Sequence, residues 1–299
     1  MLTVVFLGTS GSVPTVNRSL PSVAIKYNSE LLMFDCGEGT QRQMTLARLG
    51  LSKKMKILVS HMHGDHVLGL PGVLQSMALM GRTKELDIYG PRGIGDFLTC
   101  IQETVRYGLT FPVKIHEVNR GRIVDEPSYE IRATKADHVM TCLAYAFVEK
   151  PRPGRFDTAA AKRLKIPEGP LWKRLQFGQT IRTGGRRIRP QQVVGPSRPG
   201  IKVTYATDTR PSKMVMALAQ ASDLLIHDAS FDSSLEEKAT LDGHSTAAQA
   251  ASLAKRAKVK RLALTHISAR YRDSSILLRE ARKIFRKSFI AQDLMTTEL

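Results

Sequence analysis

The first third of the chain is written in short apolar runs closed by Gly, Pro, Asn or Ser, which predicts strands at 2–7, 22–27, 30–35 and 56–60. Residues 39–49 and 68–80 carry helical spacing, 86–89 returns as a strand, and 95–107 is again helical in period. Strands follow at 114–118, 129–134 and 142–148. Beyond Gly200 the two element types alternate: strand 201–206, helix 212–221, strand 223–227, helix 245–255, strand 261–265 and helix 274–285. No tandem repeat interrupts this order. Two αβ halves packed sheet against sheet are the architecture it predicts.

Between the halves the pattern fails. At Glu149-Lys150-Pro151-Arg152-Pro153-Gly154-Arg155 the alternation stops, and up to Gly200 the chain is rich in Pro, Gly and basic residues, with one helical candidate at 157–164 and the sole tryptophan, Trp172. About fifty residues with so little core-forming pattern read as an inserted arm, 150–200, within a single domain of 1–299. Trp172 either stacks on a base or anchors a small core of the arm itself.

Composition sharpens this picture. A chain of 299 residues with 42 % hydrophobic content can bury a substantial core. No apolar run approaches the ~20 residues of a membrane helix and the N-terminus lacks a basic leader, so the expectation is a cytoplasmic protein with no membrane partner. Cys36, Cys100 and Cys142 are far apart and form no Cys-x-x-Cys pair, as expected of free thiols in a reducing compartment. The formal net charge of +18 points to polyanions, nucleic acid first, unless the charge serves only solubility. Its distribution favours the former: between Lys150 and Pro190 twelve Lys and Arg stand against Asp157 and Glu168, so +10 falls in this stretch alone.

The chemistry concentrates in His61-Met62-His63-Gly64-Asp65-His66, which places three of the chain's eight histidines and a carboxylate directly after an apolar strand. Imidazole nitrogen and carboxylate oxygen are zinc ligands, and a strand ending in a loop can turn alternate side chains onto one centre. The pattern His-x-His-x-Asp-His resembles the metallo-β-lactamase superfamily, which implies a four-layer αβ/βα sandwich with metals at the edge of the two sheets. Fold alone leaves the substrate open, from lactams and thioesters to phosphodiesters. Three further residues end predicted strands as the cluster does: His138, Asp208 and His266. A lone histidine is more often structural, but this shared position argues for joint assignment, with a carboxylate bridging two metals. His116 and His227 are left as structural or outer residues. Gly8-Thr9-Ser10-Gly11-Ser12 lacks the Lys-Ser/Thr of a P-loop and reads as a tight turn near the site.

Ala206-Thr207-Asp208-Thr209-Arg210-Pro211, His227-Asp228-Ala229-Ser230-Phe231, Gly243-His244-Ser245-Thr246-Ala247 and Thr265-His266-Ile267-Ser268-Ala269-Arg270-Tyr271 together resemble the ribonuclease Z family of tRNA 3′-processing endonucleases. The resemblance runs from Leu7 to Tyr271 and includes the arm, where Pro151–Asp157 and Gly169-Pro170-Leu171-Trp172 are similar to the exosite that grips the tRNA body. It implies His61, His63 and His138 on one zinc, Asp65, His66 and His266 on a second, and Asp208 on both. It further implies Asp65 as proton acceptor and His244, held by Asp228, as proton donor to the departing 3′-oxygen. The products are then a 3′-hydroxyl on the tRNA and a 5′-phosphate on the trailer. Where the family usually carries glutamate this chain has Asp228, so the relay must be tighter or bridged by water. By sequence alone Asp228 and His244 could equally be a buried ion pair fixing a loop. RNA contacts are expected at Arg152, Arg155, Gly169, Pro170, Lys173, Arg174, Ser268 and Arg270, and family members are typically homodimers. Two alternatives remain: a thioesterase or phosphodiesterase acting on a small substrate, which should lack a basic arm, and a non-catalytic RNA-binding protein, which should have lost a ligand.

Overall fold

The computed structural model describes residues 2–51 and 53–299. The chain divides into two compact units: Met1–Asp125, Ile131–Phe147 and Lys202–Leu299 form the larger, and Glu126–Glu130 with Val148–Ile201 the smaller.

In chain order the strands begin with β1 (Leu2–Gly8), β2 (Ser10–Gly11), β3 (Ser22–Tyr27), β4 (Glu30–Phe34), β5 (Lys54–Leu58), β6 (Leu86–Gly90) and β7 (Val113–Glu117). After β8 (Gly121–Asp125), β9 (Tyr129–Lys135) and β10 (Leu143–Glu149) comes a short hairpin, β11 (Ile181–Thr183) and β12 (Arg186–Ile188). The last are β13 (Lys202–Ala206), β14 (Leu224–Asp228), β15 (Leu262–Thr265), β16 (Ile267–Ser268), β17 (Ser288–Ile290) and β18 (Thr296–Glu298). Two seven-stranded sheets result, ordered β18-β1-β3-β4-β5-β6-β7 and β17-β15-β14-β13-β10-β9-β8. The run β4 to β7 and the run β13, β14, β15, β17 are parallel. Parallel strands are covered on both faces and therefore read as nearly unbroken apolar runs. β14, Leu-Leu-Ile-His-Asp, is buried at every position.

The inner faces of the sheets meet through aromatic side chains: Phe34 lies 5.5 Å from Tyr205 and 6.2 Å from Tyr145 between ring centroids, and Tyr27 meets Phe147 at 5.1 Å. Helices α1 (Thr40–Leu46), α2 (Gly64–Val67), α3 (Leu70–Leu79) and α4 (Ile94–Val105) follow strands of the first sheet. Met44, Val73, Leu74, Met77 and Leu98 of these helices join its outer core. After α5 (Thr158–Arg163) and α6 (Pro170–Gln176), helices α7 (Lys213–Ala219), α8 (Glu236–Asp242), α9 (Ala247–Arg256) and α10 (Ser275–Ile284) belong to the second half. α9 packs Ala247, Ala250, Ala251 and Ala254 onto the second sheet, small side chains that admit close approach, and starts at a capping box of Thr246 and Gln249. Helix, sheet, sheet and helix form the four layers of a metallo-β-lactamase sandwich.

Two local differences from the sequence reading matter for the site. β5 ends at Leu58 rather than Ser60, because the Ser60 N–H is diverted to Asp35 Oδ1 at 2.6 Å. The residues after His63 form the single turn α2, so the following helix starts at Leu70 rather than near 68. The smaller unit differs more. Instead of one helix it holds α5, α6 and the β11–β12 hairpin around Ala160, Ala161, Ile166, Leu175, Ile181, Ile188 and Val193. Trp172 packs on Phe156 at 5.1 Å and donates Nε1–H to the Ile166 carbonyl, anchoring this small core.

Candidate metal centre

Strands β5, β9, β13 and β15 are each followed by candidate functional residues. His61 and His63 follow β5, and α2 then presents Asp65 and His66 one turn later. His138 follows β9, Asp208 follows β13 and His266 follows β15, the last two in left-handed backbone conformation at φ 44° and 58°. These seven side chains form two groups, His61, His63, His138 and Asp208, and Asp65, His66 and His266, and a third group of Asp208, His244 and His266 overlaps both.

Asp208 stands between them. Its Oδ2 is 3.6 Å from His61 Nε2 and 3.9 Å from His138 Nε2, while Oδ1 is 3.2 Å from both His66 Nε2 and His266 Nε2. Asp65 Oδ2 lies 3.3 Å from His66 Nε2 and 3.6 Å from His266 Nε2. His63 Nδ1 is 3.0 Å from His61 Nε2 and 3.4 Å from His138 Nε2. Ligand atoms ~2.0–2.1 Å from one tetrahedral zinc stand about 3.4 Å apart, the middle of this range. The buried Nε2 atoms of His66 and His266 have no hydrogen-bond partner among the described residues. Such a donor set fits two divalent ions.

In four of the five histidines the opposite nitrogen is occupied, which fixes ring and tautomer as metal sites require. His61 Nδ1 meets Ser60 Oγ at 2.9 Å, His66 Nδ1 meets Asp35 Oδ2 at 2.7 Å, His138 Nδ1 donates to the Gly243 carbonyl at 2.8 Å, and His266 Nδ1 meets Ser230 Oγ at 2.9 Å. Burial, then the neighbouring His66, holds His61 well below the usual imidazole range, so it stays neutral. His66 shifts well upward: burial opposes this, but the Asp208 and Asp35 charges prevail. Asp208 is held well below the ordinary carboxylate range against burial by the facing histidines, and Asp65 likewise by His266 and His66.

His244 and Asp228 lie beside this group. His244 Nδ1 is 2.9 Å from Asp228 Oδ2, so the shorter carboxylate reaches the ring directly and needs no bridging water. Asp228 is fully buried and also accepts from Thr209 N–H and Ser245 N–H at Oδ2 and from Ser230 at Oδ1. Burial opposes protonation of His244, yet the Asp228 charge pushes its pKa up to about 9. Arg210 ties the surrounding loops: its backbone N–H donates to the Asp137 carbonyl, and its guanidinium holds the Thr240 carbonyl at 2.6 Å and Asp137 Oδ1 at 3.1 Å.

Sequence reasoning missed four contributors. Asp35 accepts from Ser60, His66 and Tyr205 beneath the centre, and Ser230 links Asp228 to His266. The Ser12 N–H donates to Asp65 Oδ2 at 2.9 Å, giving the Gly8–Ser12 turn its place at the site. Gly243 contributes only a carbonyl. The one signal for Asp35 is a carboxylate closing the fully buried strand β4. His116 is remote, paired with Asp87 at 2.8 Å and stacked on Tyr89, whereas His227 follows the strand into the buried neighbourhood of Asp228.

Of the residues expected at RNA, Ser268 and Arg270 lie in the larger unit just past His266, with Arg270 Nε donating to Ser268 Oγ. Arg152, Arg155, Gly169, Pro170, Lys173 and Arg174 all belong to the smaller unit, where Pro170 begins α6 and all but Arg152 are exposed.

A family profile described as Anti-Pycsar protein Apyc1 matches residues 2–148, and one described as Beta-lactamase superfamily domain matches 179–267. The chain is 45 % identical to Ribonuclease Z of Methanothermobacter thermautotrophicus, over 100 % of this chain and 97 % of that one. It is 44 % identical to Ribonuclease Z of Nitrosopumilus maritimus over 99 % of each. The crystal structure of the short form of human tRNase Z superposes with a TM-score of 0.73 at 26 % identity, covering 99 % of this chain and 98 % of that one. Full-length likeness of this degree places the chain in the ribonuclease Z family of endoribonucleases.

Proposed function

We propose that this chain removes 3′ trailers from precursor tRNA using two zinc ions, leaving a 3′-hydroxyl on the tRNA and a 5′-phosphate on the trailer. The observation that carries this reading is Asp208, whose two oxygens face two separate imidazole groups, with the His244–Asp228 pair beside it. His61, His63 and His138 would hold one ion, Asp65, His66 and His266 the other, and Asp208 both. Bound as a pair, zinc supplies Lewis acidity toward a phosphodiester and lowers the pKa of water toward ~7.

The remaining work falls to the chain. Asp65, held in orientation by the Ser12 N–H, aligns the attacking water and accepts its proton. His244, charged at neutral pH because Asp228 holds it there, delivers a proton to the departing 3′-oxygen. The basic smaller unit grips the RNA body through Arg152, Arg155, Lys173 and Arg174 with the backbone at Gly169 and Pro170, and Ser268 and Arg270 meet phosphate near the cut. Its charge favours RNA over a small substrate. Homodimer assembly and residence in the cytoplasm belong to the same proposal and rest on the family likeness.

Incubation of the purified protein with a 3′-extended tRNA tests the reading. Cleavage directly after the acceptor end, loss of cleavage in chelator, recovery on adding zinc, and two ions per chain by metal analysis are expected. Full activity in chelator overturns it.

A further inference from the structure

A cavity of about 220 Å³ opens beside His244, bounded by the 11–13 turn and by residues 268–270. Its wall is Phe231, a ring 5 % exposed that meets the His244 imidazole edge-on at 6.2 Å. Two exposed cations lie over that ring, the Arg270 guanidinium at 5.0 Å and the Lys238 ammonium at 5.9 Å. Such stacking fixes where a cation sits without neutralising it. Arg270 spends Nε on Ser268 Oγ and keeps its Nη fork free among the described residues, the shape that suits phosphate oxygens. Lys238 is paired at 2.8 Å with Asp242, and Arg270, whose charge is felt by the Asp232 carboxylate, has no ion pair within 4 Å among the described residues.

The position of the cavity decides which phosphate these cations face. The oxygen that His244 protonates belongs to the last nucleotide retained by the tRNA. The space sharing the His244 wall is therefore where that nucleotide sits. We propose that Lys238 and Arg270, carried on the face of Phe231, bind the phosphate on its 5′ side, and that the cavity seats its sugar and base. This rests on the tRNA 3′-processing reading and adds Lys238 and Phe231 to it, with the side of the cut they serve.

Three precursors test the subsite: one unmodified, one with a neutral methylphosphonate at the 5′ phosphate of the last retained nucleotide, and one with the methylphosphonate at the first phosphate inside the trailer. Wild-type and Lys238→Gln holoenzymes are compared on each, with zinc content measured. On the unmodified precursor the variant should raise KM roughly fivefold, the upper end for a partly exposed charge pair, with kcat changing less. The logarithmic salt slope of binding should fall by about 0.7, the value of one phosphate on single-stranded RNA. The KM difference should vanish on the first modified precursor and persist on the second. A difference that vanishes only on the trailer-modified precursor, or persists on both, overturns the subsite. Failure of the wild type to cut any precursor overturns the tRNA reading and the subsite together, an outcome distinct from cleavage with a penalty blind to the phosphate.

Discussion

Asp35 shows how a residue outside the expected ligand set governs it. Its two oxygens accept from Ser60 N–H, Ser60 Oγ, His66 Nδ1 and Tyr205 OH, all buried. An amide in its place brings its own N–H groups against these donors, so at least one must turn away. Asp35→Asn should weaken metal binding by roughly 10–100-fold, the usual effect of losing an outer partner of a ligand. Competition against a chelator of known affinity checks this, and unchanged affinity refutes the role. His244 is expected to act on rate alone. His244→Ala should lower kcat by roughly 10²–10⁴ with zinc content intact, the scale of lost general acid help, and cleavage at the wild-type rate would remove the proton donor from the mechanism. The seven candidate ligands stood out because histidine is scarce and because they cluster just after an apolar run or close one themselves. Asp35 was not, since one carboxylate after a strand is indistinguishable from a solvated strand end.

Elements put these residues in place by pairing strands that are distant in sequence. β2 pairs in parallel with β16, Ser10 opposite Ile267 and Gly11 opposite Ser268, so the turn that reaches Asp65 is fastened to the residues just past His266. Gly11 is glycine for this reason: a Cβ there would stand 2.7 Å from the His266 ring atoms Cε1 and Nδ1. Gly11→Ala should force the ring off Ser230, lowering stability by ~1–3 kcal/mol as overpacking does, and weakening metal binding. Thermal melts with and without zinc read both effects, and a variant that melts and binds zinc like wild type would show that the turn yields freely. Two-residue strands like β2 carry no period and were legible only as a glycine-rich break. The end of β5 was misplaced for a related reason, because a side chain, Asp35, takes the ladder hydrogen-bond donor of Ser60. In the smaller unit, apolar residues spread over two short helices and a three-residue-strand hairpin leave no window long enough to show a repeat.

For the molecule as a whole, the layered order of strands and helices was legible because long buried runs and amphipathic helices alternate, whereas β17 and β18 are too short to announce themselves. Charge was legible without any fold. The structure changes how its role should be tested, since removing 153–182 would split the hairpin and strand Ile188 and Val193 without their partners. The natural cut lies at the Arg152–Arg198 bridge, where each backbone N–H donates to the other residue's carbonyl at 2.9 Å. Replacing 153–197 with a short Gly-Ser link removes ten basic residues against Asp157 and Glu168. Each phosphate that the protein no longer neutralises should take about 0.9 from the logarithmic salt slope on duplex-like RNA, by analogy with B-DNA. With several phosphates released at once, precursor cleavage should fall roughly a hundredfold further than hydrolysis of a small chromogenic phosphodiester, because only the precursor has phosphates for the unit to hold. Both rates are measured on protein with zinc content verified. Equal loss of the two would mean that the smaller unit shapes the catalytic centre, and undiminished precursor cleavage would mean that its charge has no part in gripping RNA.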